Sequence, residues 1–340
     1  MPHTPLCDLL GITQPILNVG FGLSAGPELA AAVSNAGGLG VIGGTHLHAA
    51  LIQERVRRTR ALTDRSFGVN VILAEKLRRT TPVADTIAAI FTERVAVVVL
   101  FWGDPAPYVA PAHGSGTKVI VQVGSVAEAR AAAAAGVDAI IAQGAEAGGH
   151  VRGTVALSSI LPAVVDAVAP LPVLASGGIA DGRGLAGAIA LGAQGVSMGT
   201  RFVASLECWS PQAYKDRVVD ATAEDTVYAR ELFDVGWPDA PHRILRNRTV
   251  REWEAAGQPR PGARPGEGSV IGTTTRADGT TVDVVRYSAT MPTDSFNGDV
   301  DLAALWCGES AALVNDIKPA GDIVRDVARE ADAILAGLAR

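Results

Sequence analysis

The sequence predicts an α/β protein of the (β/α)₈ barrel class, the TIM barrel, on three observations. Eight short runs rich in Val, Ile and Leu lie between residues 15 and 200, and Ala-rich segments with helical spacing separate them. Most of these runs are apolar throughout, as expected for parallel strands that are covered on both faces. The ends of successive runs lie about 20 to 33 residues apart, which suits the strand–helix units of such a barrel.

The predicted strands follow the apolar runs in order along the chain. They are Pro15–Val19, Leu39–Ile42, Phe67–Ile72, Val95–Phe101, Lys118–Val123, Asp138–Gln143, Pro172–Ser176 and Gly195–Met198. The alternative, a doubly wound open sheet, would need a Gly-rich nucleotide fingerprint after the first strand and an acidic residue closing the second. The segment Gly20–Gly26 has the glycines, but no acidic residue closes a convincing second strand. The barrel is therefore favoured.

The helices between the strands have recognisable first and last residues. Pro27 stands at a first helical position, and Ser125 with Glu128 has the pattern of a capping box. Asp181 and Ser158 are predicted N-caps. Glycines suited to the left-handed conformation follow three predicted helices: Gly37, Gly136 and Gly192.

The alternation of strands and helices breaks after Arg201. Residues 1–205 and 306–340 are predicted to form the barrel, and residues 206–305 an inserted segment that caps one end of it. Within that segment Asp278-Gly279 separates the runs Val270–Thr275 and Thr281–Tyr287, which predicts a β-hairpin. The stretch from Trp306 to Arg340 is predicted to be largely helical and to supply the last barrel helix. Its apolar stripe comprises Ile323, Val327, Ala331, Ile334 and Leu338.

Composition excludes several classes of protein. With 48% hydrophobic and 19% charged residues, the chain as a whole is neither disordered nor a coiled coil. A net charge of −6 without a long basic run makes it a poor binder of nucleic acid. The three cysteines are too few and too scattered for a disulfide framework or a zinc site. Because a signal peptide and a membrane-spanning run are also missing, we expect a cytoplasmic protein with no membrane partner.

Glycine-rich turns follow the last two predicted strands. Because the active site of such a barrel lies at the carboxyl ends of its strands, residues there are the candidate site residues. Gly177 and Gly178 follow the seventh strand, and the eighth ends in Ser197-Met198-Gly199-Thr200. Such turns match a phosphate site, where backbone N–H groups meet an anion that a side chain would block. The glycines could merely turn the chain, but two such turns at consecutive strand ends favour phosphate binding.

Two carboxamides, Asn70 and Gln143, lie at the ends of apolar strands. Each can donate and accept a hydrogen bond at once, which suits the edge of a flat heteroaromatic ring. Either one alone could equally be a satisfied buried amide. Together with the phosphate site, they favour ring binding.

His150 is the candidate general base. It follows Ala145–Gly149, a segment with only one bulky side chain, so the loop can bring its backbone against a cofactor and leave the imidazole over it. A histidine titrates near neutral pH and is a natural proton acceptor. The alternative is a loop histidine in solvent.

Motifs for hydrolytic and metal-dependent chemistry are missing. The sequence has no nucleophile elbow, P-loop, HExxH motif or metal-spaced cluster. A flat, phosphorylated organic cofactor that supplies the difficult chemistry is therefore favoured, and no metal is expected.

Several of these segments together resemble the nitronate monooxygenase family, formerly called 2-nitropropane dioxygenases. The matching strings are Glu28-Leu-Ala-Ala-Ala-Val-Ser-Asn-Ala-Gly-Gly-Leu-Gly40, Gly68-Val-Asn70, Gln143-Gly-Ala-Glu-Ala-Gly-Gly-His150, Ala175-Ser-Gly-Gly-Ile179 and Ser197-Met-Gly-Thr-Arg-Phe202. The resemblance implies an FMN-binding TIM barrel that oxidises alkyl nitronates with O₂ and without a metal. The family usually has Ala-Pro-Met at the end of the first strand, where this chain has Asn18-Val19-Gly20-Phe21.

The resemblance also implies roles for individual residues. His150 would be the base that removes the α-proton of a neutral nitroalkane, or would orient a preformed nitronate. The implied FMN contacts, to the ring or to the phosphate, are Asn70, Gln143, Gly148, Gly149, Gly177, Gly178, Ser197, Met198, Gly199 and Thr200. The expected partners are a nitronate or nitroalkane and O₂.

Two other functions stay open at this point. Related flavin barrels share the Gly-Gly-His string, so an NAD(P)H-dependent FMN reductase acting on a quinone or an enoyl thioester is the alternative enzyme. A flavin-free binding or scaffold protein is the third reading, and the intact glycines together with His150 argue against it.

Overall fold

The computed structural model describes residues 3–45, 47–77, 81–276 and 279–338. Its strands are β1 Ile16–Asn18, β2 Gly40–Gly43, β3 Phe67–Ile72, β4 Val97–Phe101, β5 Lys118–Val123, β6 Ala139–Gln143, β7 Gly149–His150, β8 Val173–Ser176, β9 Gly195–Met198, β10 Thr226–Ala229, β11 His242–Leu245, β12 Val270–Thr275, β13 Thr281–Val285 and β14 Asn297–Gly298. Its α-helices are α1 Pro5–Leu10, α2 Pro27–Asn35, α3 Ala49–Leu62, α4 Val83–Thr92, α5 Ala106–Ser115, α6 Val126–Ala134, α7 Leu157–Val168, α8 Gly182–Ala190, α9 Thr200–Val203, α10 Gln212–Val219, α11 Arg248–Ala255 and α12 Ala320–Leu338. Short 3₁₀-helices span Ala223–Asp225, Val300–Leu302 and Glu309–Leu313.

Eight parallel strands form the barrel, in the order β1-β9-β8-β6-β5-β4-β3-β2. The predicted (β/α)₈ barrel is thereby confirmed, and all eight predicted strands are present. Their buried residues alternate between the barrel interior and the layer of helices outside, which explains why the runs are apolar on both faces.

The side chain of Asn18 completes the closure of the barrel between β1 and β2. Backbone pairing there is limited to one bridge, Leu17 to Leu39. The Nδ2 of Asn18 donates to Val41 O over 2.8 Å, and its Oδ1 accepts the Val41 N–H over 2.8 Å. The backbone N–H and C=O of Val41 are buried and need hydrogen-bond partners. The fully buried carboxamide of Asn18 supplies both, in place of the backbone of a neighbouring strand.

Helix α1 closes the amino-terminal end of the barrel. Its residues Leu6, Cys7 and Leu10 are buried against interior strand residues such as Leu17 and Ile120. Because α1 covers this end of the barrel interior, a site is expected at the carboxyl ends of the strands.

The predicted helix starts are mostly confirmed. Helix α2 begins at Pro27, Ser125 accepts the Glu128 N–H over 3.2 Å, and Asp181 caps α8. The capping box is present only in part, because the Glu128 carboxylate accepts the N–H of Gly124 over 2.8 Å and not that of Ser125. The prediction for Ser158 is wrong, because α7 begins at Leu157 and its N-cap position is Ala156, two residues earlier. The Leu157 N–H donates to the carboxylate of Glu146 at 2.9 Å, so this helix is capped by a residue from the loop after β6.

The chain from Trp306 onward is less helical than predicted. Its α-helix begins only at Ala320, because the preceding residues run along the rim of the barrel, where the Gly308 N–H donates to Thr200 Oγ1 over 3.0 Å. Helix α12 packs between α8 and α2 as the last barrel helix. Within the predicted stripe Ile323, Val327 and Ala331 are buried and Ile334 packs against the core, whereas Leu338 is 76% exposed and Arg340 lies outside the described residues.

Residues 206–305 contribute strands to two antiparallel three-stranded sheets, β10-β11-β7 and β13-β12-β14. Strands β12 and β13 pair with each other, although Asp278 of the expected turn lies outside the described residues. Strand β11 pairs with β10 on one side and with β7 on the other, which joins the segment to the loop after β6. The division of the chain at residues 205 and 306 stays a prediction. Among the described residues no helix is both long and apolar enough to cross a bilayer.

Candidate functional site

A cavity of about 630 Å³ lies at the carboxyl ends of the barrel strands, below residues of the inserted segment. Ten of the eleven sequence-predicted site residues line it: Asn70, Gln143, Gly148, Gly149, His150, Gly177, Gly178, Met198, Gly199 and Thr200. Ser197, which is buried in β9, lies outside the lining. The fold therefore brings nearly all of the predicted set to one place.

The glycines at the rim of the cavity are required for different reasons. Gly177 and Gly178 have φ values of 106° and 69°, which strain any residue with a side chain. A Cβ at Gly148 would collide with the backbone of Gly308, so close packing within the protein accounts for this glycine.

Gly199 differs from the other rim glycines. Its φ is −102°, and the heavy atom nearest to a Cβ built there is in Val19, at 3.8 Å. Neither backbone conformation nor crowding within the protein explains the glycine, and the position lines the cavity. This is the arrangement expected where a ligand approaches the main chain closely.

Asn70 lines the cavity, and the protein satisfies only part of the hydrogen-bonding capacity of its side-chain amide. Its Nδ2 donates to Val99 O over 3.2 Å, and a carboxamide can make further hydrogen bonds toward a ligand. Its neighbour Gly20 lines the same wall, where a Cβ would lie 2.5 Å from Asn70 Cβ. The unusual end of the first strand thus has a structural explanation, because Asn18 closes the barrel and Gly20 makes room for Asn70.

Gln143 supports the loop that carries His150. Its Nε2 donates to His150 O over 3.0 Å, and its Oε1 accepts the Arg152 N–H over 2.9 Å. The carboxamide was expected to contact a ring edge, and it also fixes the main chain on both sides of Val151.

His150 belongs to the short strand β7 and not to a solvent-exposed loop. Its ring stacks on Trp237, with the two centroids 3.8 Å apart and the planes at 30°. Among the residues that the structure describes, no group hydrogen-bonds to either ring nitrogen, and Nε2 is buried. Burial, with a smaller contribution from His242, holds the pKa of His150 well below 6.5. The imidazole is therefore neutral near pH 7 and able to accept a proton.

Sequence reasoning missed the aromatic surroundings of His150. The distance from its ring centroid to that of Trp306 is 4.9 Å, and to that of His242 it is 5.8 Å. Trp102 lies edge-on to the ring, with the centroids 6.3 Å apart. The signal that could have found Trp102 is its place directly after β4, at the carboxyl end of the strand. Its φ of 64° is rare for a residue with a side chain, and such strain occurs often at functional sites.

His242 has a defined tautomer behind His150. Its Nδ1–H donates to Ala240 O over 2.9 Å, so its Nε2 accepts the Phe233 N–H over 3.1 Å. Burial lowers the pKa of His242 to about 4. Both histidines are thus neutral, and no positive charge arises between them near pH 7.

Comparisons with known proteins place the chain in one family with several activities. A family model described as nitronate monooxygenase matches residues 3–330. The chain is 37% identical over 260 residues to a (3aS,4S,5R,7aS)-5-hydroxy-7a-methyl-1-oxo-octahydro-1H-indene-4-carboxyl-CoA dehydrogenase from Mycobacterium tuberculosis, a match that covers 76% of this chain and 70% of that protein. Among solved structures it is similar to FabK from Thermotoga maritima, with 34% identity, a TM-score of 0.79 and 99% of both chains covered. A nitroalkane oxidase from Streptomyces ansochromogenes is 28% identical, with a TM-score of 0.77 and with 98% of this chain and 99% of that chain covered.

Proposed function

The chain belongs to the nitronate monooxygenase family, and from this premise we propose an FMN-dependent oxidoreductase that oxidises alkyl nitronates or nitroalkanes with O₂ to a carbonyl compound and nitrite. The observation that carries the proposal is the buried, unpartnered Nε2 of His150, described above, beside a cavity rimmed by glycines. A neutral imidazole in that position can accept a proton from a carbon acid. The relative described as a nitroalkane oxidase supports the same substrate class.

The residues present fit FMN at two places. The turn at Gly177-Gly178 and the open position at Gly199 suit a phosphate group, because backbone N–H groups can reach an anion where no side chain intervenes. Asn70 and Gln143, at the ends of β3 and β6, retain hydrogen-bonding capacity for a ring edge. Bound FMN supplies the electron-accepting chemistry that side chains lack.

The proposed cofactor contacts comprise the whole predicted set. They are Asn70, Gln143, Gly148, Gly149, Gly177, Gly178, Ser197, Met198, Gly199 and Thr200. Ser197 would contribute only through its backbone, because its buried position lies outside the cavity lining.

The chain's own part in the reaction is proton transfer and orientation. With a neutral nitroalkane, His150 would take the α-proton and hold it on the ring. With a preformed nitronate no proton need be removed, and a His150 N–H would instead orient the anion. The indoles packed against the ring lower the local dielectric, which strengthens both interactions.

Aerobic turnover tests this function. Purified protein reconstituted with FMN should consume O₂ and release nitrite with both nitroethane and its preformed nitronate. A protein that binds FMN but releases nitrite from neither substrate would overturn the proposal.

A second candidate function is an NAD(P)H-dependent flavin reductase acting on a quinone or an enoyl thioester. The extent of the cavity favours it, because the lining continues beyond His150 and the proposed FMN contacts to hairpin residues such as Thr274 and Val284. The name of the 37%-identical relative also includes a carboxyl-CoA group. Rapid anaerobic bleaching of the flavin by NADH or NADPH, with no response to nitronate, would favour this function over the first.

A further inference from the structure

Three indoles surround the His150 imidazole, and each comes from a different part of the chain. Trp237 stacks on one face of the ring. The plane of Trp306 is tilted by 52° from that of the imidazole, and Trp102 lies edge-on with an interplanar angle of 86°. Trp237 makes the closest contact, and of the three only Trp237 and Trp306 line the cavity. Because aromatic pairs at such distances attract each other, the stack opposes rotation of the imidazole.

Trp237 is itself held firmly in place. It is 3% exposed and packs with Ala74, Leu77 and Ala240 in a small apolar cluster. Its backbone N–H donates to Asp234 O over 2.9 Å, in a turn where Gly236 has a φ of 98°. The indole is thereby wedged between the segment after β3 and the inserted segment, and it cannot leave His150 without opening this cluster.

We propose that Trp237 is the positioning residue for His150: it fixes the imidazole in the cavity wall and shields it from bulk water. The inference deepens the proposed function. Its kinetic test, a pH profile of turnover, rests on that function, whereas its physical test, a titration of the His150 ring, does not.

Few charges reach the ring from the elements packed around it. His242 on β11 lies 5.8 Å away and has both nitrogens bonded within the protein. Arg152 lies over Trp102 at 5.1 Å and is paired with Glu128. Arg243 bonds Ala145 O and Glu309. Because these charges are already paired, burial of the ring is the main influence on how readily His150 takes a proton.

The physical test is the titration of His150, followed by NMR of its ring in the full-length protein as purified. In Trp237→Leu water can reach the imidazole. The midpoint pH of the His150 titration should therefore rise toward about 6.5, the pKa of a solvated histidine. Trp237→Phe keeps an aromatic face and should stay close to the wild type. Trp237→Met gives the same comparison as Trp237→Leu if the leucine variant does not fold.

Trp209→Leu is the matched control. Trp209 lies in the same segment, but its ring faces the guanidinium groups of Arg55 at 5.0 Å and Arg58 at 5.3 Å and is not part of the cavity lining, so its loss should leave the His150 titration unchanged. An unmoved His150 midpoint in Trp237→Leu or Trp237→Met would overturn the inference. So would an equal shift in the Trp209 control.

The kinetic test is the pH profile of kcat/KM with nitroethane. Because the base must be unprotonated, the acidic limb of the profile should move to higher pH in Trp237→Leu and return in Trp237→Phe. A protein that shows the NMR shift but oxidises neither nitroethane nor its nitronate would refute the proposed function and leave the positioning role standing. Oxidation of nitroethane with an unmoved NMR midpoint would refute the positioning role alone.

Discussion

The side chain of Gln143 holds the main chain of His150 at the wall of the cavity, through the 3.0 Å bond from Nε2 to His150 O. The other end of the same carboxamide accepts the Arg152 N–H over 2.9 Å. A residue at the end of β6 therefore sets the path of β7, which carries the imidazole. Gln143 has hydrogen-bonding capacity left for a ring, so the two roles are compatible.

Gln143→Leu should lower both stability and activity. The change leaves two backbone groups without their partner, and each costs about 1–3 kcal/mol where water does not replace it. The released strand should also misplace the imidazole, which lowers kcat/KM by about 100-fold for a displacement on the order of 1 Å. Urea unfolding and steady-state kinetics measure the two effects. Gln143→Glu, which keeps the acceptor for Arg152, should be intermediate, and a leucine variant equal to the wild type would contradict this role.

His150→Asn should separate the two kinds of substrate. Loss of a general base lowers the rate by about 10² to 10⁴ for a neutral nitroalkane, whose α-proton must be removed. A preformed nitronate needs no such step, so its kcat/KM should fall much less. The comparison uses nitroethane and ethylnitronate with the same enzyme preparation. Equal losses on both substrates would show that His150 is not the base.

Gly199→Ala should weaken FMN binding without unfolding the protein. A Cβ at this position meets Val19 only at 3.8 Å, so the fold can accept it, but it would occupy the space proposed for the phosphate. We expect the Kd for FMN to rise by about tenfold or more, on the order of 1.4 kcal/mol, as measured by fluorescence titration.

Gly187→Ala is the matched control for that change. Gly187 lies on α8, and nothing is within 4 Å of a Cβ built there. Alanine should stabilise this helix by about 0.5–1 kcal/mol and leave the affinity for FMN unchanged. If both alanine variants bind FMN like the wild type, the phosphate does not lie against Gly199.

Stability should fall as the pH is lowered, because two buried histidines resist protonation. The pKa of His150 lies well below 6.5 and that of His242 at about 4. Above about pH 6.5 both rings are neutral in the folded and unfolded states and contribute no pH dependence. Below about pH 6.5 these histidines are protonated in the unfolded chain but stay neutral in the folded protein. Each of them then lowers the free energy of unfolding by up to about 1.4 kcal/mol per pH unit, until the pH reaches its folded-state pKa.

Unfolding free energies of the wild type and of His242→Asn check this pH dependence. The variant has one buried histidine fewer, so its stability should fall less steeply between about pH 6.5 and 4. The carboxylates titrate in both proteins and cancel in the comparison. Parallel curves would contradict the assignment.

The elements that could be predicted from the sequence are those set by local pattern. Strands β3, β5 and β9 have the predicted limits, because an apolar run ends where the strand ends. The cap of α7 could not be predicted, since Glu146 reaches it from another loop. The role of Asn18 has no local signal either, because its partner Val41 belongs to the next strand.

Ten of the eleven predicted site residues line one cavity, but the prediction lacked the aromatic side chains around it. Glycines and carboxamides at strand ends are visible in the sequence because the barrel topology brings strand ends together. The contact between His150 and Trp237 depends on how the inserted segment folds back over the barrel, through the pairing of β11 with β7. No periodicity or spacing encodes such a contact.

Anaerobic titration of the FMN-loaded protein with ethylnitronate, followed in the visible band of the flavin, tests the central claim most directly. We expect the nitronate to bleach the flavin, and the colour to return when O₂ is admitted with release of nitrite. A flavin that stays oxidised in excess nitronate would contradict the account.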